Sequence, residues 1–167
     1  MTDQPVNGSP VAPRDSRAQT LSAQRAANRL VRGLLRTPLL SRAVGARLVT
    51  IYVTGRKSGR RYTVPVAYTG QGNDLLVGTP FPWGRNLRTG ETVTIRLKGR
   101  LRQADVQVFT EEEDVTRQYA VMCRDNRTFA KFNQIGFGAG GDPEPEDLRM
   151  AWVAGARAFR LTPLPVR

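Results

Sequence analysis

Short stretches of alternating apolar and polar residues dominate the middle of the chain, and helical spacing takes over on either side. Arg47-Leu48-Val49-Thr50-Ile51-Tyr52-Val53 is rich in β-branched residues, and Tyr62-Thr63-Val64-Pro65-Val66-Ala67-Tyr68 alternates. The segment between them is short and contains two glycines, so the pair predicts a β-hairpin over about 47–69. Gly70-Gln71-Gly72-Asn73 reads as a turn, and Asp74-Leu75-Leu76-Val77-Gly78 as a short third strand. Residues 92–98 alternate cleanly, and Gly99-Arg100 turns them into a further alternating run over 101–109. Between these, residues 79–87 hold Pro80, Pro82 and Gly84, a composition that argues against regular structure. Phe81 and Trp83 in that loop need an apolar surface, so it is expected to fold back over the protein.

Thr110 followed by Glu111-Glu112-Glu113 marks a helix start, a candidate cap with acids in the first turn. That helix is predicted to run to about Arg124, and a second to cover about 126–134. A glycine-rich loop over 137–145, a short helical turn over 146–153 and a last strand over 156–161 complete the chain. The order predicts a mainly β protein with flanking helices (α+β). Hairpin connections and short strands favour a closed or half-closed barrel over an open sheet with two unprotected edges. The late strand can pair with an early one to close it.

Upstream of the strands the character changes. Residues 1–15, with Pro5, Gly8, Pro10 and Pro13, read as a disordered tail. Over 16–44, Ala23, Ala27, Leu30, Val31 and Leu34 fall on one helical stripe and Arg25, Arg29, Arg32 and Arg36 on another, until Pro38 ends or kinks the helix. Two readings of this basic amphipathic segment stand side by side. It packs its apolar stripe on the same molecule's core, or it rests through residues 16–40 on an anionic surface at the inner face of the cell membrane. Residues 45–167 then form the barrel domain.

Charge sharpens the choice of partner. The 167 residues carry a net charge of +12, and between Asp15 and Asp74 there are eleven Arg or Lys and no acid. Such a balance points to anionic partners: a phosphorylated cofactor, an acidic membrane or nucleic acid. The four tyrosines and two tryptophans form no stacking stripe within the basic segment, which sets nucleic acid behind the other two. The absence of histidine excludes Ser-His-Asp and Cys-His catalysis and histidine-ligated zinc. The single Cys123 excludes an internal disulfide and a cysteine-cluster metal site, and beside Met122 in a helical pattern it reads as core. No metal is expected. No run approaches the roughly 20 apolar residues of a spanning helix, and the N-terminus lacks a compact apolar region, so a cytoplasmic protein is expected.

The chemistry concentrates in Thr54-Gly55-Arg56-Lys57-Ser58-Gly59-Arg60-Arg61, which holds four cations and two glycines. A glycine-permitted turn can aim backbone N–H groups into one concavity while Arg and Lys heads converge on it. That arrangement suits a phosphate or carboxylate, with Arg as bidentate binder and Lys as point charge. The plainer reading is a solvated basic hairpin tip.

Gly55-Arg56-Lys57-Ser58-Gly59, with Pro65 six residues further on, resembles the signature of the deazaflavin-dependent nitroreductase family. Trp83-Gly84-Arg85-Asn86-Leu87-Arg88 is similar to that family's Trp-x-x-Asn-Leu segment, and the likeness extends into Val93-Thr94-Ile95-Arg96 and Gly99-Arg100. The resemblance implies a split β-barrel of the FMN-binding kind that takes coenzyme F-420, an 8-hydroxy-5-deazaflavin with a phosphate and a polyglutamate tail. FMN is the alternative cofactor in the same barrel. It further implies Arg56, Lys57, Ser58 and Gly59 on the phosphate, Val64, Pro65 and Val66 beside the ring, and Trp83, Arg85 and Asn86 at the border of the site. This chain has Arg60-Arg61-Tyr62 where the family commonly has Pro-Arg, so Arg60 and Arg61 are the candidates for the second cation. Gly78 and Thr79 open a shortened counterpart of the family's Ser-x-Gly-Gly stretch and join the implied site. Ala67 stands where some members carry a substrate-side tyrosine, so no substrate carries over and no catalytic residue is assigned.

The implied function is a deazaflavin-dependent oxidoreductase that passes hydride from reduced coenzyme F-420 to a small quinone-like or nitroaromatic acceptor. A cofactor that itself carries hydride accommodates the missing histidine. The alternative is a non-catalytic cofactor-binding or membrane-associated split-barrel protein. Split barrels of this kind are often dimers, so a homodimer belongs among the expected partners.

Overall fold

Strands β1 (Leu48–Thr54) and β2 (Arg61–Ala67) pair antiparallel, with Ile51 opposite Val64 and Thr54 opposite Arg61. The computed structural model describes residues 47–165, so the tail and the basic amphipathic segment expected before residue 45 lie outside the described residues. After the hairpin come β3 (Thr69–Gln71), β4 (Asp74–Thr79), a 3-10 turn (Pro82–Asn86), β5 (Thr92–Leu97) and β6 (Arg100–Phe109). Helices α1 (Glu112–Asp125), α2 (Arg127–Phe132) and α3 (Pro145–Val153) follow, and β7 (Arg157–Pro163) ends the described fold.

The seven strands form one antiparallel sheet in the order β2-β1-β5-β6-β7-β4-β3. β2 and β3 stand at opposite ends of that order, yet only Tyr68 separates them in the chain. The sheet therefore has to curl until its two ends meet, which makes it a split β-barrel. The late strand β7 pairs with the early strand β4, as expected, and with β6 on its other side, so it lies inside the sheet, and the continuous run β2-Tyr68-β3 joins the two ends.

Period-two alternation fills the barrel. Val49, Ile51 and Val53 of β1 meet Val93 and Ile95 of β5, Val106 of β6, and Phe159 and Leu161 of β7 in one buried cluster. A side chain of this size contributes roughly 1.5–3 kcal/mol when fully buried. A second cluster lies on the outer face. Val115, Tyr119, Met122 and Cys123 repeat at helical spacing along α1 and cover Leu76 and Ala158. Arg47 pairs with Asp125 at 2.8 Å and so ties the start of β1 to the end of α1.

Three local expectations change. Gly70 and Gln71 belong to β3, and only Gly72-Asn73 turn the chain, because Gln71 already pairs with Asp74. Residues 82–86 are helical after all. Pro82 sits in the first turn, where a missing N–H costs nothing and its fixed φ suits a helix start. Thr110 is not a cap: Glu111 holds that position without a side-chain cap bond, while the Thr110 carbonyl accepts from the Trp152 indole at 2.9 Å. Among the described residues no helix is long and apolar enough to cross a membrane.

Candidate functional site

The hairpin tip is built on its two glycines. At Gly55 a Cβ would stand 2.7 Å from Ser58 Oγ and 2.9 Å from the Tyr62 ring, so a larger residue there would have to push these two side chains aside. Gly59 adopts φ +65°, in the left-handed region that glycine enters without a Cβ penalty. The loop consumes most of its own amides. The Gly55 N–H donates to the Arg60 carbonyl, Gly59 N–H to the Gly55 carbonyl, Arg60 N–H to Ser58 Oγ, and Arg56 N–H to Asn86 Oδ1. Among the described residues, only the Lys57 and Ser58 amides of residues 55–60 lack a recorded partner. An anion would therefore meet side chains and two N–H groups rather than a full backbone nest.

The second motif lies against the first. Asn86 Oδ1 accepts from Arg56 N–H at 3.1 Å, its backbone carbonyl accepts from Arg56 Nε at 3.3 Å, and its Nδ2 donates to the Trp83 carbonyl at 3.0 Å. The Arg56 guanidinium also pairs with Glu91 at 2.5 Å. Arg56 is thus a clamp between the hairpin tip and the stretch after the 3-10 turn. Trp83 points the other way. It stacks on Phe159 with ring centroids 6.1 Å apart and packs on the barrel core, leaving its indole N–H buried without a partner among the described residues.

Between these pieces opens a cleft of about 690 Å³ on the outer face of β1, β5 and β6. Among the described residues, four guanidinium side chains line it, from Arg56, Arg61, Arg88 and Arg96, against the single carboxylate of Glu91. Its floor is the outward register of the strands: Tyr52 pairs with Thr94, Thr94 with Gln103, and Arg96 with Leu101. Arg96 Nε donates to the Tyr52 hydroxyl at 3.1 Å, and Gln103 Nε2 to Thr94 Oγ1 at 2.9 Å. Leu101 is 56% exposed and lends the floor an apolar surface. Lys57 and Arg60 stand exposed at the tip beside it. The net positive field and the Leu101 and Tyr52 surfaces in the floor suit a ligand with an anionic end and a flat body.

The residues drawn from the sequence divide into groups. Arg56, Gly59, Arg61 and Asn86 line the cleft; Lys57, Ser58 and Arg60 lie on the exposed tip above it. Val64 is buried in the barrel and Val66 packs against the same core, while Pro65, opposite Thr50, is exposed. Gly78 lies under α1 and α2, where a Cβ would come within 2.8–3.0 Å of Phe129, Tyr119 and Met122. Thr79 is buried and accepts from the Phe81 N–H; Arg85 is exposed. Tyr52, Glu91 and Gln103 line the cleft without having been singled out, and Arg88 and Arg96, which end segments that carry the resemblance, line it without having been given a role. For Tyr52 the signal was present, since Thr50, Tyr52 and Thr54 form the polar register of an alternating strand.

No protein-family model matches the chain, and no curated protein matches it. Among solved structures, the fold is similar to that of an F-420-H2-dependent reductase (FDR-A), at 13% identity and TM-score 0.47, covering 70% of this chain and 94% of that one. It is also similar to HutZ, the heme storage protein from Vibrio cholerae, at 14% identity and TM-score 0.49, covering 77% and 90%. A pyridoxamine 5'-phosphate oxidase-related FMN-binding protein from Nostoc punctiforme is similar at 14% identity and TM-score 0.46, covering 92% and 83%.

The groups whose titration the fold moves lie far from this chemistry. Burial raises the Tyr119 phenol above its ordinary range, with the neighbouring Cys123 adding to it. Burial also pushes the Cys123 thiol up to about 12, while Arg124 and Arg127 pull it down. Both belong to the cluster under α1, so they keep a core neutral and serve no chemistry in the cleft. Among the described residues no group of three His, Cys, Asp or Glu side chains could hold a metal ion.

Proposed function

We propose that the cleft binds a phosphorylated flavin-type cofactor, coenzyme F-420 in the first place and FMN as the alternative. On this reading the protein is an oxidoreductase whose second substrate is a small quinone-like or nitroaromatic acceptor. One observation carries the proposal: a cleft of about 690 Å³ with four arginines against one glutamate, opening beside a glycine-shaped loop that adds Lys57 and Arg60. The residues present fit such a cofactor. Lys57, Arg60 and Arg61 would hold its anionic groups, the Lys57 and Ser58 amides would complete the phosphate contacts, and Leu101 and the Tyr52 ring would support a flat ring system. When bound and reduced, the cofactor supplies the hydride, which the side chains of the chain cannot do.

Arg56 has a separate part in this reading. Its guanidinium is already held by Glu91 and by the Asn86 carbonyl, so it shapes the rim more than it awaits a phosphate. The open cations are then worth most. A charge-assisted hydrogen bond to a charged group contributes roughly 1.5–3 kcal/mol, about ten- to a hundredfold in affinity. The experiment is a binding titration with coenzyme F-420 and with FMN on the parent protein and on Lys57→Ala. The variant should fold as well as the parent and bind ten- to a hundredfold more weakly. Absence of binding in both, or equal binding in both, would overturn the assignment for this loop.

A further inference from the structure

Glu91 runs against the charge pattern around it. Over residues 47–109 the acids are Asp74, Glu91 and Asp105. Asp74 accepts from Thr162 Oγ1 at 2.7 Å between β4 and β7, and Asp105 is exposed on β6. Of the three, Glu91 lines the cleft, and its backbone is fastened there. Its N–H donates to the Arg88 carbonyl at 3.3 Å, and its carbonyl accepts from the Val106 N–H at 3.0 Å. Its Oε2 accepts from Arg56 Nη2 at 2.5 Å. The choice of nitrogen matters. A guanidinium grips an oxyanion through Nε with Nη2 or through Nη1 with Nη2, so Nη2 belongs to both edges. Arg56 Nε is itself given to the Asn86 carbonyl. An oxyanion at either edge of Arg56 therefore comes against the Glu91 carboxylate and is repelled by it. The pair stands partly in water, with side-chain exposures of 36% and 51%, so it adds little to stability. Its main effect falls on what Arg56 can bind.

We infer that Glu91 is a specificity-determining residue: it keeps Arg56 out of the anion site and so limits the hairpin tip to a single phosphate group. The inference rests on the reading of this loop as the phosphate site above, and it holds whichever ring system follows. Lys57, Arg60 and Arg61 supply enough positive charge to balance one phosphate dianion without Arg56. A second phosphate joined to the first needs a further cation, and the one beside the tip is Arg56, where it meets Glu91. Of the other arginines of the cleft, Arg96 is tied to the Tyr52 hydroxyl and the Gly99 carbonyl, and Arg88 stands in the same turn as Glu91. The carboxylate thus favours a monophosphate with an uncharged body over a diphosphate-bridged ligand. A neutral amide of the same shape would free the guanidinium and leave the rim filled.

The test titrates inorganic phosphate and inorganic pyrophosphate, at one ionic strength, into the parent and Glu91→Gln. The variant should melt like the parent, bind pyrophosphate about tenfold more tightly and change its affinity for phosphate by less than about threefold. Made in an Arg56→Ala background, the same substitution should raise pyrophosphate affinity by less than about twofold. Made in a Lys57→Ala background, it should give the full gain from a lower starting affinity. A gain of equal size for both anions, or one that survives the loss of the Arg56 side chain, would reduce Glu91 to one charge in a general field and overturn the inference. A Glu91→Gln variant that melts well below the parent would overturn it too, since the pair would then be a structural pin. Absence of pyrophosphate binding in every variant has the same consequence. Titration of coenzyme F-420 and FMN into the parent keeps the two readings apart. If either binds while Glu91→Gln gains nothing, the role of Glu91 falls and the cofactor reading stands. If neither binds while the pyrophosphate gain follows Arg56, the cofactor reading falls and Glu91 keeps its role.

Discussion

One sheet presents two outer faces that differ in fate. Under α1 and α2 the outward residues of β4 and β7 are Leu76, Gly78 and Ala158, and they are covered by Tyr119, Met122 and Phe129. On β1, β5 and the start of β6 the outward residues are Thr50, Tyr52, Thr94, Arg96, Leu101 and Gln103, and they face a cleft or solvent. The strands record the difference. β4 runs Leu75-Leu76-Val77 with all three buried, as a strand covered on both sides must, whereas β1 alternates buried and half-buried residues. The covered half contributes stability and carries shifted titrations, while the open half carries the arginines of the cleft and the positive field. A strongly shifted pKa marks the core of this protein, not its site.

The contrast predicts effects of graded size. Tyr119→Ala should be the most costly change, about 3–5 kcal/mol in chemical denaturation, because it empties a fully buried aromatic position between Gly78 and Phe129. Tyr119→Phe should cost nothing or stabilise slightly, since the hydroxyl it removes is buried without a partner among the described residues. A large loss in Tyr119→Phe would mean that the hydroxyl is satisfied in solution.

Asn86→Ala joins the two halves of the argument about the rim. It removes the acceptor for Arg56 N–H and the donor to Trp83, so denaturation should show a loss of about 1–2 kcal/mol. Cofactor affinity should fall as the clamp loosens. A variant of parental stability and parental affinity would show that the rim does not depend on this amide.

Cys123 links the covered half to pH. Its folded thiol is raised from 9.0 to about 12, so the folded protein keeps a proton that the unfolded chain gives up above about pH 9. The associated stability is full below that pH and is lost as pH rises from about 9 toward about 12, by about 1.4 kcal/mol per pH unit at most. Denaturation curves at pH 8, 9 and 10 should show the decline. Cys123→Ala, though less stable throughout, should show a shallower one. An identical slope in both would remove the thiol from the explanation.

The smallest effect belongs to the open half. Leu101→Ser replaces an exposed side chain and should change stability by less than about 0.5 kcal/mol. A loss of more than about 1 kcal/mol, dependent on protein concentration, would show that a second copy covers this face and that the two halves are not so different.

Much of this was readable along the chain. β-branched alternation placed β1, β2, β5 and β6, because side chains two apart share a face whatever surrounds them. Apolar residues at steps of three and four placed α1, and the two glycines of residues 55–59 announced a tight tip. These are local properties, set by backbone sterics and periodicity. Pairing order, coverage and convergence are not local. No residue of β7 says that it will lie between β6 and β4, because that order is decided by which edges remain after the hairpins form. Nor does Trp83 disclose that it will turn into the barrel to meet Phe159, 76 positions away, while Asn86 turns out to hold Arg56. Tyr52, Arg96 and Gln103 belong to three strands, and only the register of the curled sheet brings them to the lining of a single cleft.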